Sequence, residues 1–315
     1  MRPLLSLLLS VCALVASPLY ASTFTFAAIG DVPYGPIEEL ASLASRINQQ
    51  PVAFTIHVGD IKSGGSLCND DAYLKVRDLF NRFEQPLIYT PGDNEWTDCH
   101  RKICGAYDPL ERLDKLRQLF FANDESLGKQ RIRLQTQASD PRFSRYPENR
   151  RWSRGNVSFA TLHLVGSNNN LQPELPSVTE FAARDDANIE WLRDTFAVAR
   201  ERRDSAVVLA MQADTFFAEP GPGSGFTRWL AALRDEVARW NKPVLLIQGD
   251  THLFRVDHPL KDSDGKPLPK LLRVVVHGER DPDPLMIEVD DKNADEPFRV
   301  RVLRRTDKAV QEFLN

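Results

Sequence analysis

A layered α/β fold is predicted for this 315-residue chain by two features. Short apolar runs rich in Val, Ile, Phe and Thr end abruptly at a Gly-Asp pair, and amphipathic stretches of helical spacing lie between them. The first run, residues 24–29, stops at Gly30-Asp31 and is followed by a helical pattern over 37–47. Residues 52–58 lead to Gly59-Asp60 and a helix over 72–83; residues 87–91 lead to Gly92-Asp93 and a helix over 110–121. Strands over 157–165 and 207–211 then alternate with helices over 187–200 and 226–240, before residues 244–248 close at Gly249-Asp250. Runs at 271–277, 285–289 and 298–303 make a β-rich tail. No internal repeat or low-complexity tract is visible.

The amino terminus has a different character. Met1-Arg2-Pro3, an apolar stretch over 4–15 and the small-residue sequence Ala16-Ser17-Pro18-Leu19-Tyr20-Ala21 have the layout of a signal peptide over residues 1–21. About 12 apolar residues fall short of the ~20 that a bilayer helix needs, so no membrane anchor is expected. Export to a periplasm or to the medium follows. Residues 22–315 read as one domain, because no Pro/Gly/Ser linker divides them. The net charge of −4, with Lys and Arg dispersed, gives no electrostatic footprint for nucleic acid and favours a small-molecule partner. Five arginines do fall between Asp140 and Gly155, a segment that reads as a solvated loop. Past the leader, Cys68, Cys99 and Cys104 allow one disulfide and an odd thiol; Cys68–Cys99 is the expected pair and Cys99–Cys104 the alternative.

Average composition would give a chain of this length on the order of one Gly-Asp pair, yet four occur and each closes an apolar run. Ligands of layered α/β sheets bind beyond the carboxyl ends of strands, so Asp31, Asp60, Asp93 and Asp250 are expected to converge, with Asp214 able to join them. Gathered carboxylates repel one another unless a cation neutralises them. Oxygen donors suit Mg²⁺, Mn²⁺ or Ca²⁺, and the imidazole of His252 extends the range to Fe or Zn. Two such cations sharing one carboxylate would activate water for in-line attack on phosphorus, which is phosphoester hydrolysis.

The segments GDVPYG, HVGD, PGDNEW, MQAD and QGDTH, in that order, resemble the calcineurin-like metallophosphoesterase superfamily over residues 23–290. The resemblance implies a four-layer αββα sandwich of two mixed β-sheets flanked by helices. It also implies that Asp31 and His252 serve one metal, Asp60 bridges, and Asp93 and Asp250 serve the other. The lone-histidine position of the superfamily falls near Gln212 or Asp214. This chain departs from the pattern in being poor in histidine. Pro33 stands for the first histidine, Asp93 for the ligand asparagine, Asn94 for the catalytic histidine and Asp250 for the first histidine of the last motif. Tyr34 reads as a buried aromatic at a turn; the alternative is metal ligation through its phenolate, as tyrosine does from another motif in the similar purple acid phosphatases.

Asn94 can orient or hydrogen-bond a phosphate, but its amide has no titratable proton near neutral pH. His100 is therefore the candidate acid, held near the metals by a Cys68–Cys99 bridge, and Asn168 is a candidate amide at the rim. The alternative reading is a catalytically degenerate module that binds metal, calcium among the candidates, without turnover. The sequence leaves substrate, ester class, metal identity and oligomeric state open.

Overall fold

The computed structural model describes residues 23–174, 176–218, 221–279 and 281–305. The leader expected over residues 1–21 lies outside them. Among the described residues no helix is long and apolar enough to cross a membrane.

Alternating burial explains the architecture. Strand β1 (Thr23–Ile29) sends Ala27 and Ile29 to one face and Phe26 and Ala28 to the other, and both faces are dry. It lies parallel to β2 (Val52–His57), which lies parallel to β3 (Leu87–Tyr89). The outer face of these strands packs on α1 (Ile37–Asn48), α2 (Asp70–Phe80) and α3 (Pro109–Phe120) through Leu40, Val76 and Leu116. Local chemistry starts two of these helices: Asn69 Oδ1 accepts from Ala72 N at 2.9 Å, and Asp108 Oδ1 accepts from Leu110 N at 2.8 Å beside Pro109 in the first turn.

The second sheet has the order β4 (Gln135–Thr136), β5 (Arg150–Arg154), β6 (Val157–Thr161), β7 (Ala206–Ala210), β8 (Val244–Gln248), β10 (Leu271–Val275), β9 (Arg255–Asp257). Its central strands β6, β7, β8 and β10 run parallel. A short left-handed turn, α4 (Gly166–Asn169), follows β6. The long α5 (Ser177–Arg202) and α6 (Thr227–Trp240) cover the outer face through Leu192, Phe196, Trp229 and Leu233. The chain then returns to the first sheet, where β11 (Leu285–Asp290) pairs antiparallel with β1 and with β12 (Phe298–Val302). The result is a four-layer αββα sandwich of two mixed sheets.

The inner faces meet in an aromatic cluster. Phe54 and Phe26 from the first sheet stack at 5.1 Å, and Phe159 from the second stands edge-on to both, at 5.2 and 5.6 Å. Helix α5 begins ten residues before the expected residue 187, because its first turns carry Glu180, Arg184 and Asp185 rather than an apolar stripe. The segment expected as a solvated loop contains β5, with Arg150 and Arg151 buried.

Replacing the fully buried Phe159 with Ala should therefore lower stability by about 3–5 kcal/mol, read as a shift of the urea unfolding midpoint at unchanged m-value. A change below ~1 kcal/mol would mean that the two sheets are not held at this contact.

Candidate metal centre

All four Gly-Asp pairs lie just past the carboxyl ends of β1, β2, β3 and β8. Asp31, Asp60 and Asp250 take left-handed backbone angles, with φ of 53°, 57° and 71°. Asp tolerates that region better than most residues, because its short polar side chain can bond locally. Gly59 has a φ of 98°, a left-handed backbone that favours glycine, whereas Gly92 and Gly249 serve space. A Cβ on Gly92 would fall 2.1 Å from Asp60 Oδ1, and one on Gly249 would fall 2.5 Å from Asp31 Oδ2. Each of these glycines makes room for a carboxylate supplied by a different loop.

Asp31, Asp60 and His252 each offer a donor atom, and the three atoms lie within 4.8 Å of one another. His252 Nε2 stands 3.5 Å from Asp31 Oδ1, which also accepts from Asp250 N at 3.0 Å. Asp31 Oδ2 is buried without a partner. Asp93 and Asp250 approach from the other side: a Cβ on Gly166 would lie 2.7 Å from Asp93 Oδ2 and 2.6 Å from Asp250 Oδ1. Burial is the main cause that pushes the Asp31 carboxyl upward, and it pushes Asp60 well above the usual range together with the charges of Asp93 and Glu95. Asp250 is pushed up to about 7 by burial and by Asp93 and Asp31. His252 is raised through its hydrogen bond to Asp31.

Tyr34 is more than a buried aromatic. Its hydroxyl donates to Asp60 Oδ2 at 2.6 Å, accepts from Asn94 Nδ2 at 2.7 Å and lies 3.2 Å from His252 Nε2. Burial, then the charges of Asp60 and Asp31, push this phenol well above its ordinary pKa. Asn94 Nδ2 also donates to Asp60 Oδ2, at 2.7 Å. Beneath the cluster Glu95 Oε1 accepts from Gly92 N at 2.6 Å, Tyr89 OH at 2.8 Å and Asp60 N at 3.1 Å, fixing one loop to another.

At the lone-histidine position the structure distinguishes Gln212 from Asp214. Gln212 Nε2 donates to Asp93 Oδ1 at 3.1 Å, and its Oε1 accepts from Gly166 N at 2.5 Å. Asp214 instead faces the buried Arg273 at 2.7 Å and Thr251 at 3.1 Å, so a cation already occupies it. His100 is exposed, its Nδ1 is bound to Thr97 O at 2.7 Å, and among the described residues it makes no hydrogen bond to the aspartates. Asn168 spends its amide on the backbone of Leu171, Gly223 and Gly225, at 3.2, 3.1 and 2.8 Å, rather than on the rim of the site.

The asparagine run has its own explanation. Ser167, Asn168, Asn169 and Asn170 all have φ between 49° and 57°, a left-handed turn that asparagine accepts and β-branched residues resist. The turn delivers Ser167 Oγ to Asp93 Oδ2 at 2.7 Å. Ser167 escapes sequence reasoning, since it lies in no pattern that announces a site; Glu95 lies within PGDNEW, but nothing local shows that it ties the Asp60 and Gly92 loops together. On the far side Cys68 and Cys99 are disulfide-bonded, with Cα atoms 5.8 Å apart, and Cys104 is free and buried. The bridge joins the loop after β2 to the loop that carries Asn94.

No protein-family model and no curated protein sequence matches the chain. Among solved structures it is similar to PhoD, at 13% identity and a TM-score of 0.51, covering 89% of this chain and 68% of that one. Lower similarities are to purple acid phosphatase PPD1 from yellow lupin (Lupinus luteus) seeds, at 10% identity, TM-score 0.44 and coverage of 92% and 55%. A hypothetical protein from Thermus thermophilus gives 11% identity, a TM-score of 0.43 and coverage of 88% and 98%. The likeness to PhoD shows a shared fold.

Two measurements follow from this geometry. Glu95→Gln should weaken divalent-metal binding by roughly 10- to 100-fold in a calorimetric titration, because the carboxylate that orients the Asp60 and Gly92 loops is lost. His57 is fully buried, accepts from Gly59 N at 3.2 Å and bonds Val32 O at 3.0 Å; burial lowers its pKa to about 4. Between that value and the ordinary ~6.5, the unfolded chain holds a proton that the folded chain does not. Stability should then rise with pH across this window and be lost as pH falls toward 4, by up to about 3 kcal/mol. Urea unfolding at several pH values, beside His57→Gln, checks this; an equal pH slope in both proteins would remove His57 as the cause.

Proposed function

We propose that the chain is an exported, metal-dependent hydrolase of phosphoesters with a dinuclear, carboxylate-rich centre. The observation that carries this reading is the convergence of Asp31, Asp60 and His252, one donor atom from each within 4.8 Å of the others, in a cluster whose Asp31 also has an oxygen, Oδ2, that is buried and unpartnered. A buried carboxylate oxygen without a hydrogen-bond donor is costly, and a cation supplies what it lacks. The donor set therefore fits a divalent metal. Asp31 and His252 would hold one ion, Asp93 and Asp250 a second, and Asp60 would be shared between them. When bound, such ions lower the pKa of water and offset charge on phosphate oxygens.

The chain's own residues have separate tasks. Glu95 holds the Asp60 backbone, while Gln212 and Ser167 hold the Asp93 carboxylate by 3.1 and 2.7 Å hydrogen bonds. Asn94 Nδ2 and the Tyr34 hydroxyl donate to Asp60 Oδ2, and with a metal taking their place on that oxygen they would be free to orient a phosphate oxygen as hydrogen-bond donors. His100 hydrogen-bonds Thr97 O rather than a member of the cluster, and Asn94 carries no titratable proton, so esters with good leaving groups would suit the site best. That same lack of a placed acid favours a second reading, a metal-binding module without turnover. The substrate would be a small phosphoester, and residues 1–21 would direct the protein to a periplasm or to the medium.

The test is hydrolysis of a chromogenic phosphomonoester and its bis-ester by metal-stripped protein, with Mn²⁺, Mg²⁺, Ca²⁺, Fe²⁺ or Zn²⁺ restored singly. Metal-dependent turnover is expected, and Asp60→Asn should lower kcat/KM by on the order of 100-fold or more. Stoichiometric metal binding with no turnover on either ester would establish the module instead.

A further inference from the structure

A second cavity, of about 430 Å³, lies at the opposite end of the sheets from the metal centre. Its wall includes Ala53 and Phe54, at the start of β2, whereas Asp60 follows the end of that strand. The rest of β2 from Phe54 to His57 spans roughly 10 Å, and the turn that carries Asp60 lies beyond it. Four arginines line the cavity, Arg133, Arg151, Arg154 and Arg202, and no carboxylate does. Two of them are already neutralised nearby: Arg133 pairs with Asp124 at 2.8 Å and Arg202 with Asp204 at 3.3 Å. Arg151 and Arg154 have no ion pair among the described residues.

Arg151 is the more telling. It sits on β5, only 5% exposed, with its guanidinium over the Trp191 ring at 4.4 Å. Its Nε and Nη2 share one neutral acceptor, Gln135 Oε1, at 3.2 and 2.9 Å, and its Nη1 is buried with no partner at all. The neighbouring Trp152 Nε1 is likewise buried and unpartnered. Asp194 acts on it only at longer range, without an ion pair; a buried cation with no directly paired counter-charge and an incomplete set of acceptors is unfavourable by itself, and a ligand could complete it. The cavity volume lies within the range of small-ligand sites, about 300–1,000 Å³.

We propose that this cavity binds a phosphate group, remote from the metal centre and independent of the hydrolase reading. A single carboxylate fills one guanidinium fork. A phosphate presents more oxygens and up to two charges, which suits a cavity lined by four arginines and no carboxylate. Phe54 and Trp152 give an apolar wall that would receive an organic group attached to the phosphate.

The experiment is calorimetric titration of the full chain, and of its Asp60→Asn form in which the metal centre is disabled, with inorganic phosphate and with phenylphosphonate, which is not hydrolysed. Saturable binding at one site is expected in both proteins. Arg151→Gln should raise Kd at least ~10-fold, and the exposed Arg154→Ala several-fold, with circular dichroism confirming the fold. Tighter binding of phenylphosphonate would mark an organic phosphate as the ligand, and tighter binding of inorganic phosphate the free anion. Should Arg151→Gln fail to fold, Arg154→Ala on the Asp60→Asn background decides. No saturable binding, binding confined to the chain with an intact Asp60, or a Kd indifferent to the arginine changes would each overturn the proposal.

Discussion

Electrostatic repulsion among buried carboxylates is the constraint around which this molecule is arranged. Asp31, Asp60 and Asp93 are all within 6% of full burial, and Asp250 stands beside them. Left alone, such a group would raise its own pKa values until some members took up protons. The surrounding structure lowers the conflict only in part, through Tyr34, Asn94, Gln212 and Ser167, all neutral donors. What remains is a site built for positive charge.

Holding the aspartates there falls to backbone geometry more than to side-chain packing. At Gly92 and Gly249 the dipeptide states two requirements at once, a donor and a space for a carboxylate from elsewhere, while Gly59 supplies a left-handed turn and Gly30 a close approach to Val58. The left-handed angles at Asp31, Asp60 and Asp250 turn each carboxylate back over the strand ends. Glu95 and the Cys68–Cys99 bridge then bind the supporting loops to one another.

Much of this was legible before any coordinates. The Gly-Asp pairs and the alternation of strand and helix are local signals, and they led to the layered fold and to the four aspartates at its rim. Signals that depend on distant segments meeting were not legible. Tyr34 reads as a turn aromatic until Asn94 and Asp60 are brought to its hydroxyl, and Gln212 and Asp214 are two residues apart with opposite surroundings. Asp214 looked like a ligand because nothing in its own neighbourhood announced Arg273, 59 residues later. Strand β5 was hidden for the converse reason: Arg150 and Arg151 are buried without being apolar, so no hydrophobic period betrays them. The asparagine run reads either as amides at the rim or as turn chemistry, and the fold uses its tolerance of an unusual backbone.

The contact between Asp250 N and Asp31 Oδ1 spans 219 residues of sequence. Asp31, Asp60 and Asp93 are supplied by the first half of the chain, while Asp250 and His252 come from the second. Closing so long a loop is paid for in chain entropy before the contact returns anything, and pairings of this range form slowly. The first three aspartates must therefore wait, during synthesis and refolding alike, for a segment made much later. An ion held at the proposed centre would act as a clasp on the two halves, stabilising the folded chain by an amount that grows with its concentration over Kd.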